Sequence, residues 1–245
     1  MPKVGQDYGH GGKDSGALGP NKTKESDVVL AIGQKAAEYL RSVDIEVVET
    51  RTDDSTVSLD DRCKIANAAG CDLFVSYHGN SDITGRAFGS ETYCLQKGGR
   101  GEQLAAAIQK RLTEALGTAD RGVKEANFYV LRYTQMPAAL VEIAFISNPD
   151  EEAILTNEEK QNIAALAIAR GIAEQFGKEI PDPVPPAPEP EPEPAKPEPT
   201  AFEKEQAAAI EWCKKNGYIK NFDNKEPITR EYLAVILHRI HGPKG

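Results

Sequence analysis

Two histidines sit at matching places in the first half of the chain. His10 lies in Asp7-Tyr8-Gly9-His10-Gly11-Gly12, directly after a short apolar run, and His78 closes Val75-Ser76-Tyr77-His78. Glycines flanking His10 let the backbone turn sharply and leave the imidazole accessible. A loop histidine with no role, or a satisfied core histidine at 78, is the plainer reading of each alone. The chain has only four histidines, and the other two, His238 and His241, lie near the far end. Glu142 stands inside the apolar stretch Leu140-Val141-Glu142-Ile143-Ala144-Phe145. Placing an acid there is costly unless it is paired or functional. Burial raises its pKa towards neutrality, which suits proton transfer, although a buried structural ion pair would look the same. Glu25 opens a helical stretch, where a carboxylate also favours the helix dipole. Two His and one Glu form the ligand set of a catalytic zinc, with a separate carboxylate to move the proton of its water. The inventory His10, Glu25, His78 and Glu142 fits that chemistry, but the spacings are long and no local metal motif supports them.

Elements must position these groups. Apolar periodicity predicts helices over 25–41, 59–69, 102–116 and 158–176, and strands over 3–6, 45–49, 73–77, 91–95, 129–132 and 139–143. Strands alternating with helices predict an α/β domain: a twisted, mostly parallel sheet of about six strands flanked by helices. In such sheets functional groups collect beyond the carboxyl ends of the strands, where His10 and His78 fall.

Composition marks the boundaries. Ten of the 16 prolines lie between Pro181 and Pro199, alternating with glutamates. That segment cannot build a core and reads as an extended tether over 179–200. The expected organisation is a large domain over 1–178 and a small helical one over 201–245. The latter has Trp212, Tyr218, Ile228, Leu233, Ile236 and Leu237 as core candidates, and Thr229 as an N-cap. A net charge of −9 argues against nucleic-acid binding. No stretch approaches a membrane span, and the polar, Gly-rich start reads as lacking a secretory signal. Four scattered cysteines, Cys63, Cys71, Cys94 and Cys213, read as buried free thiols. The expectation is a chain made in a reducing cytoplasm.

At these residues the sequence closely resembles the zinc-dependent N-acetylmuramoyl-L-alanine amidases of the Amidase_3 family. The matching pieces are GHGGKDSGALG (9–19), KE (24–25), TR (50–51), LDDRCKIAN (59–67), DLFVSYHGN (72–80), GSETY (89–93) and RGVKEANFYVLRYTQMPAALVEIAFISN (121–148). The resemblance implies zinc on His10, Glu25 and His78, with Glu142 as the catalytic acid-base. The implied reaction cleaves the amide between the lactyl group of N-acetylmuramic acid and L-Ala of the peptidoglycan stem. Asn80 and Glu91 fall in family motifs and would orient ligands or substrate. Tyr8 stands where the family often has Pro, and Gly79 where it often has Ala. Residues 201–245 resemble an S-layer homology module, which implies binding of a secondary cell-wall polymer, with Trp212 and Arg230 as candidate contacts. The family normally uses three tandem copies, so one module suggests dimerisation. Without a signal peptide, a phage or prophage endolysin released through a membrane lesion is the expected setting, and an autolysin of mother-cell lysis the alternative. Rival functions are a zinc peptidase cutting within the stem peptide and a non-enzymatic wall-binding protein on the same scaffold.

Overall fold

The computed structural model describes residues 1–182 and 200–217, which fall into two compact units, Met1–Pro183 and Val184–Gly245. The first unit holds β1 (Lys3–Tyr8), α1 (Glu25–Arg41), β2 (Glu46–Glu49), α2 (Leu59–Ala68), β3 (Leu73–Asn80), β4 (Ser90–Cys94) and α3 (Arg100–Leu116). It continues with β5 (Asp120–Glu125), α4 (Tyr129–Tyr133), β6 (Ala138–Phe145), α5 (Pro149–Thr156) and α6 (Glu158–Glu174). The six strands form one sheet in the order β2-β1-β3-β6-β4-β5. β2, β1, β3 and β6 run parallel, β4 is antiparallel to β6, and β5 is parallel to β4.

Strand residues alternate between two faces. Val4, Tyr8, Val75, Tyr77, Val141 and Ile143 enter a large core with apolar residues of α1, α3 and α6. α6 packs on both α1 and α3. At Gly171 of α6 a Cβ would meet the Ile108 Cα of α3 at 2.8 Å, so the two backbones approach as closely as they do only because that side chain is missing. The other face carries Phe74, Ala138 and Leu140 against Cys63 and Ala66 of α2 and Val130 and Leu131 of α4. This smaller core leaves the strand ends uncovered.

Three elements differ from the expectation. Residues 129–132, read as a strand from their aromatic and branched side chains, form the helix α4 instead. Tertiary contact decides there: Val130 and Leu131 bury themselves, while the Tyr129 and Tyr133 rings pack together at 4.4 Å between centroids. β5 was not anticipated because DRGVKE is polar, as suits an edge strand. α5 begins at Pro149, with Asn148 capping the backbone N–H of Asp150 and Glu151.

Cys63, Cys71 and Cys94 are buried free thiols, and burial pushes Cys63 and Cys71 up to about 11. In the second unit α7 (Ala201–Lys215) ends at Gly217, which takes a positive φ of 74°. Trp212, on α7, is half exposed. The rest of the small domain, with Arg230 and the second helix expected there, lies outside the described residues. No helix among the described residues is long and apolar enough to cross a membrane.

Candidate metal centre

The parallel pairing of β3 with β6 sets His78 opposite Glu142, and the antiparallel pairing of β6 with β4 sets Glu142 opposite Glu91. All three point to the face carrying α2 and α4, because they share parity with Phe74, Leu140 and Tyr93. The chain thus lays a row of ionisable groups across adjacent strands.

His10 comes from the loop after β1 and has a left-handed backbone, φ 62°. Two buried arginines hold it there. Arg51 donates from Nε to the Tyr8 carbonyl at 2.8 Å, and from Nη2 to the Gly9 and Ser26 carbonyls at 2.9 and 2.7 Å. Arg62, from α2, donates to the Tyr8 and His10 carbonyls, both at 2.6 Å, and pairs with Asp7 at 2.7 Å. Asp7 also accepts from Thr50 and Ser76. An unpaired arginine at this depth would be prohibitive, and each guanidinium here is matched to backbone oxygen or carboxylate.

Glu25, the first residue of α1, is buried. Its Oε2 accepts from the Ala17 N–H at 2.9 Å and its Oε1 from the Gly79 N–H at 3.0 Å. The same Oε1 lies 3.1 Å from His10 Nε2 and 2.9 Å from His78 Nδ1. Burial alone would raise its pKa, but the two imidazoles hold it well below the usual carboxylate range. The second nitrogen of His10, Nδ1, faces Asp14 Oδ2 at 2.8 Å, which leaves Nε2 directed at Glu25 and His78. Burial opposes protonation of His10, yet Glu25 and Asp14 raise it to about 9. Burial likewise opposes protonation of His78, and Glu25 and Glu142 outweigh it.

One donor atom from each of His10, Glu25 and His78 lies within 4.8 Å of the others. Bonds of ~2.1 Å at tetrahedral angles space ligand atoms ~3.4 Å apart, close to the two separations above. Two imidazole nitrogens, one carboxylate oxygen and a carboxylate behind one imidazole are a donor set suited to a divalent cation with an open position.

Glu142 is not part of that set. Its Oε2 is the one buried side-chain polar atom without a hydrogen-bond partner among the described residues. Burial first, with Glu25 and Glu91 adding to it against His78, pushes its pKa up to about 7. It lines a cleft of about 460 Å³ together with His10, His78, Leu59, Phe128 and Tyr129.

Glu91 is differently placed. Its Oε1 accepts from Asn80 Nδ2 and from the Tyr93 hydroxyl, both at 2.7 Å. Its Oε2 accepts from Arg121 at 2.7 Å and from Lys124. Burial works against its charge, but these four donors hold it at about 2. The sequence alone assigns no role to Arg51, Arg62 or Asp14, although all three stand in matching pieces. An arginine four residues into a helix reads as surface until the fold shows where it points.

An α/β domain with two imidazoles and a carboxylate converging at the strand ends, and a free acid beside them, defines a hydrolase-type centre. Comparison with known proteins is specific. Residues 4–174 match the Amidase_3 model, described as N-acetylmuramoyl-L-alanine amidase, and the chain belongs to that family. The endolysin of Bacillus phage SPP1 is 45% identical over 176 residues, 69% of this chain and 64% of that protein. The amidase LytC of Bacillus subtilis is 39% identical over 181 residues, 71% of this chain but only 36% of LytC. The chain therefore spans less than two thirds of either relative. The catalytic domain of CwlV from Bacillus (Paenibacillus) polymyxa superposes with a TM-score of 0.70 at 39% identity, covering 73% of this chain and all of that one.

Proposed function

We propose that residues 1–178 form a zinc-dependent peptidoglycan amidase that cleaves the bond between the N-acetylmuramic acid lactyl group and L-Ala of the stem peptide. The observation that carries it is the pairing of a converged His10–Glu25–His78 donor set with an unpartnered Glu142 in the same cleft. Zinc, when bound, supplies Lewis acidity, acidifying a water and polarising the amide carbonyl. The chain handles the proton. Glu142 takes it from the attacking water at Oε2 and returns it to the departing L-Ala nitrogen. Asp14 orients His10 through Nδ1, the two imidazoles keep Glu25 ionised, and the Ala17 and Gly79 N–H groups fix its carboxylate.

The likeness to a phage endolysin supports a lytic role, with action on the wall after release. LytC, a bacterial amidase of similar identity, supports the autolysin alternative. Residues 179–200 serve as a tether, and 201–245 hold the enzyme at the wall through a secondary polymer, with Trp212 and Arg230 as contacts and dimerisation as the means of raising avidity. Metal analysis paired with product identification tests the central reading. One zinc per chain, new L-Ala amino termini and no new reducing sugars support it. Cleavage inside the stem peptide would make it a peptidase, and wall binding without metal or turnover would make it a non-enzymatic binder.

A further inference from the structure

Glu91 has no capacity left for substrate: both of its oxygens are taken by four donors, and it stays ionised throughout the working range. It acts through what it holds. Arg121 and Lys124 of β5 converge on a single carboxylate, so the group carries one surplus positive charge. Both side chains keep over a third of their surface in solvent, 36% and 37%. The cluster is continuous with the cleft. Lys124 lies opposite Tyr93 in the β4–β5 register, its ammonium 6.0 Å from the Tyr93 ring centre. Tyr93 in turn meets the cleft residue Phe128 edge-on at 5.1 Å.

We infer that Arg121 and Lys124, oriented by Glu91, form a carboxylate subsite for the stem peptide, taking a free α-carboxylate on the residue that follows L-Ala. This rests on the amidase reading of the neighbouring cleft. The distances agree. Glu142 on β6 and Lys124 on β5 are two strand spacings apart and offset by two residues in register, ~12 Å between backbones, and the Lys124 ammonium reaches back to Glu91, the direct neighbour of Glu142. An extended chain advances ~3.5 Å per residue, so a carboxylate on the second residue lies ~8–9 Å from the amide bond that is cut. The guanidinium and ammonium retain donors beyond those used on Glu91, and a substrate anion would neutralise the surplus charge.

The test compares two muramoyl-peptides that differ only at that residue, one with the free carboxylate and one with its carboxamide, on the zinc-loaded full chain. A single charge-assisted contact predicts a preference of about tenfold in kcat/KM for the carboxylate form. K124M should bring the ratio close to one and K124R should restore it. NMR titration of the E142Q chain with the two corresponding L-Ala-terminated peptides should show the same preference without turnover. A ratio near one in the unmodified protein, or one that K124M leaves unchanged, overturns the subsite while leaving the amidase reading intact. If neither muramoyl-peptide is cut but the titration keeps its preference, the amidase reading fails and the subsite stands.

Discussion

The two faces of the sheet are made from alternate residues of the same strands, and they solve opposite problems. The face under α1, α3 and α6 is a large core whose buried polar groups, Gln6, Tyr8 and Tyr77, satisfy one another. The face under α2 and α4 has a small core and, at the strand ends, Asp7, His78, Glu142 and Glu91. One face minimises free energy. The other spends some of that stability on an acid with an oxygen that nothing satisfies. Substitutions should therefore separate stability from turnover according to the face they touch.

The largest expected effect is Glu142→Gln. Loss of a general acid-base lowers turnover by ~10²–10⁴-fold, measured on purified walls, while zinc content stays at the original level. Its melting temperature should hold or rise, because a buried group with no partner loses its tendency to ionise. Near-normal activity would remove Glu142 from the role. Ile108→Ala on the opposite face should do the reverse, costing ~2–5 kcal/mol in denaturant unfolding with turnover per folded molecule retained. A large activity loss in the soluble, folded variant would show that the two faces are not separable.

The acid limb of stability sharpens the contrast on the site side. Glu91 is held at about 2, below the ~4.3 of an unfolded chain, so it binds fewer protons folded than unfolded at intermediate pH. Its contribution is fully present above ~4.3 and is lost as pH falls towards 2, by an amount of order 3 kcal/mol at most. Glu91→Gln should remove that share of the acid dependence in pH-stability curves; an unchanged slope would show that the four donors do not act as described. Zinc binding should add a ligand-linked contribution. At 100 times its Kd the expected stabilisation is about 2.7 kcal/mol, and a chelator should abolish the accompanying shift in melting temperature. Gly79→Ala should be nearly silent, within ~0.5 kcal/mol and twofold in rate, since the new Cβ meets Glu25 Cγ at an ordinary 3.5 Å.

The same contrast governs what could be read in advance. His10, His78 and Glu142 stand out because one rare histidine follows a strand, another sits near the end of one and a lone acid interrupts a third, where a mismatch with the surroundings is visible in one dimension. Glu25 was ambiguous, since an acid in a first helical turn has a sufficient local reason to be there. Asp14, Arg51 and Arg62 carry no such signal, because polar residues in loops and on helices look solvated, and only tertiary structure brings them to His10. β5 was hidden by its polarity. Residues 129–132 misled because side chains that suit a strand also suit a short helix with two buried positions.

Arg51 and Arg62 meet residues 8, 9 and 10 only through their main-chain oxygens, and the side chain that Arg62 holds is that of Asp7. Such a hold is blind to the side chain at position 8, so Tyr8 can turn its ring to the opposite face of the sheet without loosening the loop. The adjustment falls on the far side of the sheet, at Gly33 of α1, where any Cβ would collide with the Tyr8 ring at 2.1 Å. Positions 8 and 33 are therefore coupled, and a smaller residue in place of Tyr8 would leave a void beneath α1 rather than a defect in the loop that carries His10.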